Sequence, residues 1–212
     1  MTQSGWRTVG GEEFSVRESV GGLRGLIESS APGVVFVIAY LAWGGYKVPT
    51  IAACATVVLM VIARLILRER IIHALGGVFG VGLGALWAWR FGDPGEFFVP
   101  GFWINGATFV GLVLTILVGW PVVGVVVAIA RGASMEWRRN TRLRRRFAVA
   151  TWIMAGLFAL KLAVQLPLYW ADEVAVLGVA KLAMGVPLFV LTAWAIWLMV
   201  RGEELPGHSR EG

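Results

Sequence analysis

From residue 31 to residue 200 the sequence is a succession of apolar runs separated by short polar gaps, and most runs reach the ~20 residues a helix needs to cross a bilayer. Six of them read as crossings, over residues 31–46, 49–67, 71–89, 97–120, 147–170 and 174–200. The first is short unless the preceding Leu26 and Ile27 join it. Pro121 ends the fourth, and the apolar piece at 122–130 is too short to cross. That piece is expected to be re-entrant or interfacial. Upstream, Ser15 and Glu18 have capping-box spacing, and Val16, Val20, Leu23 and Ile27 recur on one helical face. Residues 15–30 are therefore expected to form an amphipathic helix lying on the membrane surface. Residues 1–14 are polar, Gly-rich and aperiodic, which predicts a disordered arm. The expected fold is all-α, a polytopic bundle of six transmembrane helices (31–200) with the surface helix before it and a tail at 201–212.

Charge placement orients the bundle. Of the 19 Lys and Arg residues, 15 lie in alternate gaps: Arg7, Arg17 and Arg24; Arg64, Arg68 and Arg70; Arg131, Arg138, Arg139, Arg142, Arg144, Arg145 and Arg146; Arg201 and Arg210. The intervening gaps hold only Lys47 and Arg90. The excess of basic residues on cytoplasmic loops then predicts both termini inside, in the cytoplasmic membrane. Trp43, Trp87, Trp89 and Trp170 fall at expected outer ends and Trp120, Trp137, Trp152, Trp194 and Trp197 at or near inner ones, as interfacial aromatics do.

Composition agrees, with 58% hydrophobic residues and a mean hydropathy of +0.74. Topology accounts for the basic pI near 10.2, so no nucleic-acid partner is expected. Cys54 is the lone cysteine, which excludes a disulfide framework and any Cys-based metal site. Glu12, Glu13 and Glu18 precede the first apolar run with no basic n-region, so no cleaved leader is expected.

All 13 Asp and Glu residues fall outside the expected spans. Ion-coupled carriers and dinuclear metal sites commonly need carboxylates at membrane depth, so both become less favoured. His73 and His208 are the only histidines and no Gly-x-Ser-x-Gly is present, so neither an enzyme nor a cofactor is expected. What the spans do contain is Asn105, Lys161, Gln165 and Lys181. At ~1.5 Å per residue, Asn105 lies ~12 Å below residue 97, Lys161 ~14 Å below residue 170 and Lys181 ~10 Å below residue 174. Pro167 and Pro187 leave the carbonyls of Ala163 and Ala183 without their helical donors nearby. One reading has both lysines snorkelling or paired with Asp172 and Glu173. The other is an outward-facing pocket in which Lys161 and Lys181 hold an anion while Asn105 and Gln165 donate hydrogen bonds.

Gly76, Gly80 and Gly84 recur at four-residue spacing, which bares one helix face for close packing. Arg138, Arg139, Arg142, Arg144, Arg145 and Arg146 are topology determinants that also suit contact with anionic lipid, at ~1 kcal/mol for each basic residue near such a leaflet.

Several short motifs carry a family resemblance: Gly22-Leu-Arg-Gly25, Phe97-Phe98-x-Pro100-Gly101 with Asn105, Trp120-Pro121-x-x-Gly124, Trp137-Arg138-Arg139, Thr151-Trp152, Gln165-x-Pro167-Leu-Tyr169 and Gly185-x-Pro187-Leu188. In these, over most of residues 16–200, the chain resembles the actinobacterial integral-membrane proteins grouped as domain of unknown function 3159. Its layout is also distantly similar to the intracellular septation protein A group, which implies an envelope or division role. The resemblance implies membrane location and fold, with no activity attached. Two functional readings follow. The first is a non-enzymatic envelope or scaffold protein that engages anionic lipid and packs, through its glycine face, on a second copy or another membrane protein. The alternative is a small permease or transporter subunit with the lysine layer as its site.

Overall fold

The computed structural model describes the backbone of residues 22–67 and 72–202, and side chains over residues 30–67 and 77–202. The disordered arm expected at 1–14 and the first half of the expected surface helix lie outside the described residues. Helix α1, Gly22–Trp43, runs unbroken through Pro32, so from Gly22 onward surface segment and first span form one rod. Gly44 and Gly45, at φ +66° and +60°, then make a left-handed reversal that a side chain would strain. Beyond them runs α2, Lys47–Ile66, followed by α3, Ile72–Phe91.

Asp93 Oδ1 accepts from Gly95 N at 2.6 Å and turns the chain into a short 3-10 helix, Gly95–Phe98, which feeds α4, Val99–Leu117. Helix α4 ends at Gly119, φ +76°, a left-handed position that suits only glycine. The fourth span is thus shorter than its apolar run, since Phe97 and Phe98 belong to the 3-10 turn. Helix α5, Val122–Ala130, is the short apolar piece, and a second 3-10 turn, Met135–Arg139, follows it. Helix α6, Thr141–Trp170, starts from Asn140, whose side chain accepts from the backbone N–H of Arg142 (3.0 Å) and Leu143 (3.3 Å), a cap worth ~1 kcal/mol. The sixth span is not one helix. It is split into α7, Val174–Ala183, and α8, Val186–Val200, because Pro187 cannot donate to Ala183 and is tolerated only in the first turn of a new helix.

No strand occurs among the described residues. Among the described residues, four helical runs are long and apolar enough to cross a membrane: Lys47–Ile66, Gly95–Leu117, Thr141–Trp170 and Val174–Val200. The described apolar part of α1 is shorter, Ser30–Trp43, and α3 has 20 residues. Perimeter side chains such as Trp43 (71% exposed), Leu59 (67%) and Leu117 (72%) face outward, an apolar surface suited to lipid and not to water.

Helix α1 packs on α2 and α7, α2 on α3, α3 on α4, and α4 on α6, while α6 packs on α7, α8 and α5. The contacts close a ring. At its turn end the connections at 44–46, 92–94 and 171–173 come together: Tyr46 meets Trp89 edge-on at 6.1 Å, and Tyr169 donates to Glu96 Oε1 at 2.7 Å. At its arginine end, Arg131 donates to the Val200 carbonyl at 3.1 Å and Arg138 reaches Gly119. Of the arginine-bearing segments, the connection after α5 and the end of α8 therefore touch one another.

Each end has its own buried cluster. At the arginine end Trp137 and Phe147, both fully buried, meet edge-on at 4.9 Å over Gly124. Pro121 leaves α5 without helical partners for its first N–H groups, and Thr151 Oγ1 accepts from one of them, Val123 N, at 3.3 Å. At the turn end Phe36 stacks on Phe97 (4.1 Å) and both meet Phe98 edge-on.

Candidate functional site

Beneath that aromatic cluster lies a cavity of about 340 Å³ enclosed by α1, α3, α4, α6, α7 and the start of α8. Asn105, Lys161, Gln165 and Lys181 all line it. Four polar residues scattered over 77 positions of sequence thus line one space from three helices.

The ring explains why the space exists. Gly33 and Gly178 let α1 and α7 approach closely: a Cβ at Gly33 would meet Leu182 Cδ2 at 3.2 Å, and one at Gly178 would run into Val37. Neither glycine stands in a four-residue repeat, so sequence periodicity did not single them out. Opposite them Gly77 and Gly80 leave the α3 wall bare, with nothing within 4 Å of a Cβ placed on either. Of the expected packing seam, Gly84 is the member in use, since a Cβ there would lie 2.6 Å from the Phe97 carbonyl. Gly80 lines the cavity instead. The surroundings of Gly76 lie outside the described residues.

Lys181 Nζ sits 4.7 Å from the Phe98 ring centroid and 5.8 Å from that of Phe97, beside Gly101, where a side chain would crowd it. Lys161 Nζ lies 5.3 Å from the Phe158 centroid, one helical turn back on its own helix. Asp172 and Glu173 are exposed in the connection, and neither pairs with a lysine among the described residues. Gln165 is 3% exposed, and no protein partner for its amide is found among the described residues. Among the described residues no acidic side chain lines the cavity. Its charge and hydrogen-bonding capacity have no partner among those residues, an arrangement chemically suited to an anion.

The expected outward-facing mouth differs in the structure. Phe36, Phe97, Phe98, Val174 and Leu177 pack between the lysines and the turn end, because the Gly95–Phe98 turn directs both phenylalanines into the bundle. The broken helix adds donors that residue counting overlooked. Gly185 and Val186 line the cavity, and the first-turn N–H groups of α8 have no partner within their own helix.

The arginine run divides by role. Arg138 stacks on Trp120, 3.6 Å from the ring centroid, and its Nε donates to Gly119 O at 3.4 Å, so it pins the end of α4 to the Met135–Arg139 turn. Arg139, Arg142, Arg144 and Arg145 are exposed at the start of α6, and Arg146 is partly buried. Arg142 and Arg145 edge a groove floored by Val149 and Met199, and Arg144 and Arg145 edge another floored by Leu117, Val118 and Ala148.

A family model described as a protein of unknown function (DUF3159) matches residues 20–206 of the chain. No curated protein and no solved structure gives a significant match.

Proposed function

The chain belongs to the DUF3159 family of proteins of unknown function, and from that premise we propose that it is a non-enzymatic, multi-pass protein of the cytoplasmic membrane that holds an anionic solute among α1, α3, α4, α6 and α7. It acts as a small permease or as the solute-binding subunit of a larger transporter. One observation carries this reading: Lys161, Lys181, Asn105 and Gln165 line a single cavity in which no acidic group occurs among the described residues. An ammonium at the bilayer centre costs on the order of 3 kcal/mol on insertion scales, so two of them with no counter-charge among those residues favour an anionic occupant. The membrane fold, in this reading, has six crossings: α1, α2, α3, α4, α6 and the α7–α8 pair.

The lysines supply the test. Native mass spectra of the protein released from lipid nanodiscs should show a bound small anion on wild type that is lost from the Lys161→Ala, Lys181→Ala double variant, with both proteins equally monodisperse. A wild-type protein with no lysine-dependent adduct would sink the reading. The exposed Arg139, Arg142, Arg144 and Arg145 favour a second, compatible role for the arginine end, engagement of anionic lipid headgroups over grooves with apolar floors. That role keeps the scaffold reading beside the permease one.

Orientation has its own check. In a Cys54→Ala background, a cysteine at Asp93 or Asp172 should react with an impermeant thiol reagent from outside, and one at Asn140 should not. Reversed labelling would invert the assignment of sides.

A further inference from the structure

We infer that the occupant of the cavity is an aliphatic dicarboxylate, bound lengthwise with one carboxylate at Lys181 and the other at Lys161; this deepens the anion-site reading and rests on it. The argument begins with direction. Side chains on an α-helix lean toward its N-terminus. Helices α6 and α7 are consecutive and antiparallel, joined by the three residues 171–173. Lysines at similar depth on the two must therefore splay, Lys161 toward the arginine end and Lys181 toward the turn end.

The ring contacts agree. Lys161 Nζ lies over Phe158, three residues nearer the start of α6, while Lys181 Nζ lies over Phe98, in the turn before α4. The sequence places the two residues in one layer; their ammonium groups occupy two stations. A single compact anion cannot sit at both, whereas two carboxylates on a short chain can. The same cavity is also lined by apolar Val81, Ile104, Leu182 and Val186, which suit methylenes. The amides of Asn105 and Gln165 provide neutral donors to carboxylate oxygens.

Charge and size narrow the choice further. Among the described residues the lining carries two lysines and no acid, so a dianion balances them where a monoanion leaves one lysine uncompensated. At ~30 Å³ for each water-sized group, about 340 Å³ holds roughly eleven such groups, which corresponds to a dicarboxylate of about four to seven carbons.

The test is a titration of the nanodisc-embedded protein, followed calorimetrically, with dicarboxylates of increasing chain length, monocarboxylates of equal length and inorganic phosphate. Affinity should peak at one dicarboxylate length, with the matching monocarboxylate at least about tenfold weaker. Lys161→Met and Lys181→Met, each checked for wild-type thermal stability, should bring the dicarboxylate down to the monocarboxylate level. Equal, lysine-dependent binding of mono- and dicarboxylates, or tighter binding of phosphate, would overturn the dicarboxylate assignment and leave the anion site standing. Absence of lysine-dependent binding by any of the three probes would overturn both.

Discussion

Gly124→Ala should destabilise the protein by about 3 kcal/mol, the upper end of what overpacking costs, and lower its unfolding temperature in detergent by about 6 to 12 °C. A Cβ at this position would lie 2.6 Å from one Trp137 ring carbon and 2.8 Å from another, and 2.8 Å from a Phe147 ring carbon. Both rings are fully buried and hold each other edge-on, so neither can swing aside. Trp137 Nε1 is buried without a hydrogen-bond partner among the described residues, so packing alone fixes the indole. The ~1 kcal/mol that alanine gains over glycine in a helix offsets only part of this. A steric origin predicts coupling: in a Trp137→Phe background the same substitution should cost markedly less. Wild-type stability for Gly124→Ala would mean that the α5 helix does not pack as described.

The second large effect separates two glycines that sequence spacing treats alike. Gly84→Ala should cost about 2 kcal/mol, because its Cβ meets the Phe97 carbonyl at 2.6 Å and two Phe97 ring atoms at 3.1 and 3.2 Å. That carbonyl belongs to a 3-10 turn whose phenylalanine stacks on Phe36, so the backbone has nowhere to yield. Gly80→Ala, with nothing within 4 Å of the new Cβ, should be neutral or gain up to ~1 kcal/mol from helix propensity. Thermal unfolding of the two variants side by side decides the matter. Equal losses would show that Gly80 is packed against something the described residues do not include.

The contrast marks where sequence reasoning stops. Periodicity located the helices because lipid demands long apolar runs. The polar layer was legible for the same reason: Asn105, Lys161, Gln165 and Lys181 are conspicuous inside apolar runs. What spacing could not supply was azimuth. Gly80 and Gly84 share a stripe, yet whether a neighbour lies against it depends on Phe97, from another part of the chain. Gly178 carries a tight helix approach with no repeat to announce it. The turn end illustrates a different gap, since Phe97 and Phe98 read from the sequence as the start of a span, whereas they lie in a 3-10 turn and a buried aromatic cluster. Asp93, through its bond to Gly95, makes the turn that decides. The split at Met184–Gly185 was half visible in Pro187, whose lost hydrogen bond was foreseen while the restart of the helix was not.

Helix α6 has a length with a bearing on its surroundings. Its 30 residues span ~45 Å, and the apolar portion at 147–170 alone ~36 Å, against a hydrocarbon thickness of ~30 Å. The surplus of roughly 6 Å is a positive hydrophobic mismatch, which a helix relieves by tilting or by thickening the lipid around it. Because α6 carries Lys161 and Gln165, tilt translates directly into cavity shape, and α7 and α8, parted at Met184–Gly185, can follow it without bending a continuous rod. Acyl-chain length of the host membrane should therefore bear on the cavity, with the same protein in thin and thick bilayers expected to differ in the spacing between Lys161 and Lys181.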